Sequence, residues 1–116
     1  MSDLSILDAD AIQNLRALGD EMDVDSFLKE VVEIYLTDTP KRLTEIHACL
    51  ASGDSTTLNR AAHSIKGSSS NLGAIQVIGV AKRIEEKSKE SLENLDADIT
   101  ELERAFAEAK AALEAL

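Results

Sequence analysis

The sequence predicts an all-α protein, an antiparallel up-and-down four-helix bundle with an additional short N-terminal helix. Three observations carry this expectation. Apolar residues recur at helical spacing in five successive segments separated by short connections. Hydrophobic residues make up 44% of the chain but aromatics only 3%, so the core must be built from Leu, Ile, Val and Ala, which suit helices. One proline and five glycines supply too few turn signals for a β-sandwich or barrel.

The first helix is expected from about Asp8 to Leu18, with Asp8 as its cap and Gly19 as its stop. The second is long, from about Asp25 to Ala51, and Ser52-Gly53 ends it. Phe27, Val31, Ile34 and Tyr35 form one apolar stripe, which Leu43, Ile46 and Leu50 continue. Pro40 falls inside this pattern and should kink the helix near Leu36–Thr37, because it removes one backbone donor. Two helices broken at Thr39-Pro40 are the alternative. One bent helix is preferred because the apolar face resumes without a polar linker. The third helix starts after the N-cap Asp54 and runs to about Ser70, with Asn71-Leu72-Gly73 as its end. The fourth runs from about Ala74 to Ser88 with Val77, Val80, Ala81 and Ile84 on one face. The fifth, from about Asn94 to Leu113, carries Leu95, Ile99, Leu102, Phe106, Ala109 and Leu113. No repeat, low-complexity linker or second domain interrupts residues 1–116, so a single domain is expected.

Net charge is −10, which disfavours nucleic acid and anionic membrane surfaces as partners. Cys49 is the only cysteine, so no intrachain disulfide can form. The opening MSDLSILDAD has acidic residues where a signal peptide needs a basic region and an apolar run. No stretch reaches the ~18 apolar residues of a membrane span. A cytoplasmic protein is the expectation.

The third helix concentrates the chemistry. At 3.6 residues per turn, Leu58, Ala61, Ile65, Ser69 and Leu72 share the core side. His63 lies almost opposite and should point into solvent. Asn59 and Arg60 one turn before it, Lys66 and Gly67 one turn after, and Ser70 beyond them share that outer face. No acidic residue occurs between Asp54 and Glu85, although the chain carries 22, so the histidine sits in a local positive island. Gly67 costs a helix interior roughly 0.5–1 kcal/mol relative to alanine. A glycine beside an exposed histidine points to close approach by another molecule. A neutral imidazole is a competent nucleophile near neutral pH, since histidine's reference pKa is ~6.5. Lys66 can act as a point charge on phosphoryl oxygens. The combination suits phosphoryl transfer.

The segment His63-Ser-Ile-Lys66-Gly67-Ser-Ser-Ser-Asn-Leu72-Gly73-Ala74 resembles the signature of histidine-containing phosphotransfer (HPt) domains: His, two residues, Lys-Gly, four residues, Leu-Gly-Ala. It matches at every defined position, and Arg60-Ala61-Ala62 before it is also similar to common family sequences. The resemblance extends over the chain in length and helix order, though only this dozen residues is specific. It implies a phosphorelay carrier in which Nε2 of His63 takes a phosphoryl group from a receiver-domain aspartyl phosphate, or a kinase, and passes it to another receiver aspartate. The implied partners are response-regulator receiver domains and a hybrid sensor histidine kinase. Mg²⁺ is expected on the receiver, with no cofactor or metal on this chain. The sequence holds no glycine-rich ATP lid, so autophosphorylation is not expected. The docking face should include Ile12 and Leu15 of the first helix, with apolar residues of the second.

Other readings weigh less. A lone histidine is usually an ordinary surface residue, and Lys66 alone a solvated charge; their register with Gly67 and Leu72-Gly73-Ala74 decides against that. Arg60 either approaches the phosphoryl group or pairs with an acidic neighbour, and the sequence leaves both open. His47, in an acidic stretch near Glu45, reads as a partly exposed structural residue. Ser69 is expected inward, Cys49 inert, and the acidic fifth helix a solvated surface. A helical module that docks receivers without accepting phosphate would not need His63. In the dimerising histidine domain of a sensor kinase, an acidic residue and a proline typically follow the histidine; here Ser64 follows, and no later proline exists. A chain that completes its own bundle is expected to be a monomer. Two distant histidines and one cysteine give a metal enzyme no ligand spacing. A leading Met with a complete bundle suggests a stand-alone protein, and a domain excised from a larger kinase would look similar.

Overall fold

A computed structural model describes residues 6–116 of the chain. It contains five helices: α1 Ala9–Arg16, α2 Ser26–Ser52, α3 Ser55–Leu72, α4 Ile75–Ser88 and α5 Asp96–Glu114. Helices α2 to α5 form the antiparallel bundle, with α3 packed between α2 and α4, and α5 against α4 and α2. The short α1 lies across α2 and α3. The expected all-α architecture is therefore the observed one.

The boundaries follow local chemistry. Asp8 caps α1 by accepting from the Asp10 N–H at 2.9 Å, and Asp54 caps α3 by accepting from the Thr57 N–H at 3.1 Å. Helix α1 ends at Arg16, two residues short of the expected Leu18, because Leu18 and Gly19 turn back onto Leu15 and Arg16 with three-residue bonds. Helix α2 passes through Pro40 unbroken, so the two-helix alternative is not realised. Helix α3 continues two residues beyond Ser70, to Leu72. It stops at Gly73, whose φ of +65° is left-handed. Helix α5 starts two residues later than expected, after Asn94 takes a left-handed φ of 62°.

Residues Ile6–Asp8 pin the α3–α4 turn from outside. The Asp8 N–H donates to the Gly73 carbonyl at 2.8 Å, and the Ile75 N–H donates to the Ile6 carbonyl at 3.2 Å. The chain approaches so closely that a Cβ on Gly73 would lie 2.6 Å from the Asp8 Cβ and 2.9 Å from the Ala11 Cβ.

One core runs through the bundle. All the residues expected on the core face of α3 are buried, as is every member of the α4 and α5 stripes. Ser69 is inward as expected, and its hydroxyl meets the buried Tyr35 hydroxyl at 2.7 Å. Burial pushes the Tyr35 phenol up to about 12, against the lowering effect of that hydrogen bond. The α2 stripe needs one correction. Ile34 is 67% exposed and does not belong to it, because the buried line runs through Leu28, Tyr35, Thr39, Leu43 and Ile46. At 100° per residue Ile34 sits ~120° from that line. Helix α5 needs another: Asp98 is not solvated but 6% exposed, bonded by the Arg83 Nε and the Lys87 Nζ, each at 2.8 Å. Burial alone would push this carboxyl up; those two cations outweigh it and hold it below the usual range. No helix among the described residues is long and apolar enough to cross a membrane.

Candidate functional site

The core line of α3 fixes where His63 points. With Leu58, Ala62, Ile65 and Ser69 buried, the opposite face must be solvent, and the His63 side chain is 65% exposed. Gly67, one turn on, also faces outward: a Cβ there would meet nothing within 4 Å. The fold has room for a side chain at Gly67 and none at Gly73.

The partner of His63 comes from α4. Nδ1 of His63 lies 2.8 Å from Oε2 of Glu85, and Nζ of Lys66 lies 2.6 Å from Oε1 of the same carboxylate. Glu85 is therefore a bridge, with its two oxygens divided between the lysine and the imidazole. Its side chain is only 12% exposed, whereas that of Lys66 is 30% exposed. Lys66 holds the Glu85 carboxyl below its ordinary range, against the opposing effect of burial, and the His63 hydrogen bond adds to the lowering. The expected positive island is thus corrected: His63 and Lys66 share one anion that the local sequence does not contain.

Other expected site residues divide. Ser70 and Arg60 are exposed on the outer face. The charge of Arg60 reaches Asp54, whose carboxyl is held low first by the Thr57 hydrogen bonds and also by that guanidinium. Asn59 is half-buried, and its side chain is engaged within the bundle. Its Nδ2 donates to the Glu85 carbonyl at 2.7 Å and to the Ser88 hydroxyl at 3.2 Å, so it ties α3 to α4 directly below the Glu85 bridge. Ile12 and Leu15 are also corrected: at 5% and 9% exposed they are core residues. A short amphipathic helix has only one apolar face, and here it is consumed in holding α1 to the bundle. His47 is exposed, as expected, with Nε2 3.0 Å from Oε2 of Glu103 on α5. Cys49 is buried. No cluster of three or more His, Cys, Asp or Glu suited to a metal occurs among the described residues.

An exposed apolar side chain does lie beside α3, on α2. Ile34 borders a hollow of about 130 Å³ between α2 and α3, lined also by Val31, Tyr35, Asp38, Ser68 and Asn71. Ser68 is five residues from His63, about 7.5 Å along α3.

The family model described as the Hpt domain matches residues 30–116. The chain belongs to this family. Among solved structures, it is similar to histidine-containing phosphotransfer protein B of Pseudomonas aeruginosa, at 32% identity. That match covers 93% of this chain and 90% of the other, with a TM-score of 0.82. It is also similar to a histidine-containing phosphotransfer protein of Medicago truncatula, at 26% identity, covering 98% of this chain and 78% of the other, with a TM-score of 0.84. The HPt domain of a sensor hybrid histidine kinase from Shewanella shares the fold, at 23% identity and a TM-score of 0.65, with 73% and 74% of the two chains covered. A comparison with curated protein sequences gave no match.

Proposed function

We infer that this Hpt-domain chain is a phosphorelay histidine phosphotransfer protein whose phosphoacceptor is His63. The observation that carries this reading is an imidazole 65% exposed whose Nδ1 is engaged by a shielded carboxylate, on the helix that holds the family's motif. Exposure is what a carrier requires, since its donor and acceptor groups sit on other proteins. The nucleophile is the second ring nitrogen, Nε2, on the solvent side.

The chain acts as a carrier rather than a kinase, receiving the phosphoryl group from a receiver aspartate, or from a kinase, and returning it to another receiver. Mg²⁺ belongs to the receiver in this reading, and the chain itself needs no cofactor. The protein works as a cytoplasmic monomer, since its own helices close the core. The docking surface combines Gly67 and Ser70 of α3 with Ile34 of α2, which supplies the exposed apolar contact first assigned to Ile12 and Leu15. Glu30, Glu33 and Asp38 lie beside Ile34 and outnumber the one lysine there, Lys41, so a receiver with basic residues around an apolar docking spot is favoured.

The test is transfer from a phosphorylated receiver to the wild-type chain and to His63→Gln, read as acid-labile, base-stable phosphate on the protein. Label on the wild type and none on the variant is expected. Equal label on both, or none on the wild type across several receivers, would refute the carrier reading and leave a module that only docks.

A further inference from the structure

We propose, on the reading that His63 is the acceptor, that Arg60 and Lys89 hold a carboxylate of the docked receiver. Together with the acidic surroundings of Ile34, they fix the orientation in which that receiver binds.

A hollow of about 390 Å³ lies between the first turns of α3 and the end of α4, lined by Ser55, Thr56, Asn59, Arg60, Ser88 and Lys89. Two of these residues are cations and none is acidic, in a chain with 22 acidic residues against 12 basic ones. The floor is already saturated. Asn59 spends its amide on the Glu85 carbonyl and the Ser88 hydroxyl, and Ser88 donates to the same carbonyl at 3.0 Å. The walls are not. Among the described residues, Arg60 and Lys89 make no ion pair, and the Ser55 and Thr56 hydroxyls make no hydrogen bond. The charge of Arg60 reaches Asp54, but that carboxylate caps α3 through the Thr57 N–H. A guanidinium fork, an ammonium and two hydroxyls around one hollow are the donors a carboxylate takes, and charge-assisted bonds are the stronger kind.

Position gives this notch its meaning. Its α3 residues lie three to eight positions before His63, whereas Ser68 and Asn71, which border the Ile34 hollow, lie five and eight positions after it. The two hollows are therefore about 18 Å apart along α3, with the imidazole between them. Their signs are opposite, since Glu30, Glu33 and Asp38 stand against one lysine, Lys41, beside Ile34. A receiver patch of ordinary size, about 800 Å² or roughly 28 Å across, covers both at once. Only one docking orientation then pairs opposite charges at both ends. Turned half a circle about the histidine, the receiver meets like charge at both, while its phosphoryl site still sits over His63. Like-charge contacts suppress the wrong orientation, and complementary ones speed the right encounter. The receiver that fits carries an acidic side chain facing the start of α3 and basic ones facing α2. Arg60 and Lys89 are thus recognition residues and take no part in the phosphoryl chemistry.

Three variants test this against a receiver that binds the wild type. Arg60→Gln/Lys89→Gln strips the notch of charge. Arg104→Gln/Lys110→Gln removes the same charge from α5, which packs against α4 and α2. Arg60→Glu/Lys89→Glu/Glu30→Lys/Glu33→Lys keeps the net charge and reverses the polarity. Every substituted position is exposed, so each chain should melt near the wild type. Association is read by stopped flow at low and high salt, and transfer at saturating receiver is read separately. The notch variant should associate more slowly on the order of 10-fold at low salt, with the gap closing at high salt. The α5 variant should lose only a small part of that. The reversed variant should be the slowest to associate, although its net charge is that of the wild type. Transfer at saturation should be unchanged in the notch variant.

Equal slowing by the notch and α5 variants would mean that net charge alone acts, and would overturn the proposal, as would wild-type association of the reversed variant. A notch variant that associates normally but transfers slowly at saturation would place Arg60 or Lys89 on the phosphoryl group and overturn it too. Association is read without label, so a wild type that binds the receiver yet takes no phosphoryl group refutes the carrier reading separately.

Discussion

Replacing Gly67 by alanine should make the protein more stable and a poorer phosphoryl acceptor. The two effects have separate causes. Gly67 lies inside α3, and a Cβ there would meet nothing within 4 Å. The fold therefore gains the ordinary helix preference of alanine over glycine, about 0.5–1 kcal/mol. For a chain of this length that raises the melting temperature by about 2–6 °C. The same methyl group stands one helical turn from His63, on the face a receiver must approach. In-line transfer needs the reacting atoms within about 3–3.5 Å, and a misplacement near 1 Å can cost about 100-fold. A loss of transfer rate on the order of 10-fold or more is expected. Calorimetry gives the first number, and transfer from a phosphorylated receiver, sampled in time, gives the second. Gly73→Ala is the control with the opposite sign. Its φ of +65° disfavours a side chain by roughly 1–2 kcal/mol. Its new Cβ would also press on Asp8 and Ala11, at about 1–3 kcal/mol more for overpacking. A Gly67→Ala variant that melts lower than the wild type would refute the claim that the fold has room there. One that transfers at the wild-type rate would refute the close approach.

Further perturbations separate fold from function. Tyr35→Phe should cost about 1–2 kcal/mol in urea unfolding, because the buried Ser69 hydroxyl loses its 2.7 Å partner; no change would mean that the pair contributes nothing net. Ile34→Asp should leave stability within about 0.5 kcal/mol, since the side chain is already exposed, but weaken receiver binding on the order of 10-fold by titration calorimetry; unchanged affinity would remove α2 from the docking surface. Asp98→Asn should destabilise by about 1–2 kcal/mol near neutral pH, less than a fully buried pair because Arg83 and Lys87 are half exposed. The folded Asp98 carboxyl is held low, so its contribution is present above the unfolded value, about pH 4, and is lost as pH falls through the folded one. The gap between wild type and Asp98→Asn should therefore narrow in acid, and a gap independent of pH would count against the ion pairs.

What could be read in the sequence was local. The α3 motif specifies its own outward face, because 3.6-residue periodicity places Leu58, Ile65 and Ser69 opposite His63 with no knowledge of the rest of the chain. Charge at the site was not local. Glu85 is 22 residues from His63, and only the antiparallel α3–α4 hairpin brings them together. A usable signal existed: His63 lies ten residues before Gly73 and Glu85 twelve after it, so a tight turn at that glycine folds one over the other. Asn59 and Ser88 obey the same register, which makes Asn59 an interhelical tie. The errors on α1 and α2 have a related cause. An apolar residue on an amphipathic helix can face either the core or a partner. Periodicity alone reads Ile12, Leu15 and Ile34 alike, while the tertiary fold buries the first two and exposes the third.

The bridge also bears on why such a site can give up its phosphoryl group. An unpaired ammonium beside His63 would attract the phosphoryl oxygens most strongly after transfer, stabilising the phosphorylated protein and slowing the onward step. With the ammonium of Lys66 2.6 Å from Glu85, that attraction is largely opposed by an adjacent negative charge. The same carboxylate lies against the ring, whose positive charge is complete in the phosphorylated product, so the two contacts of Glu85 act in opposite directions on that product. Shielding Glu85 within the α3–α4 contact keeps the bridge in place, while the 65% exposure of His63 leaves the second nitrogen open to either receiver.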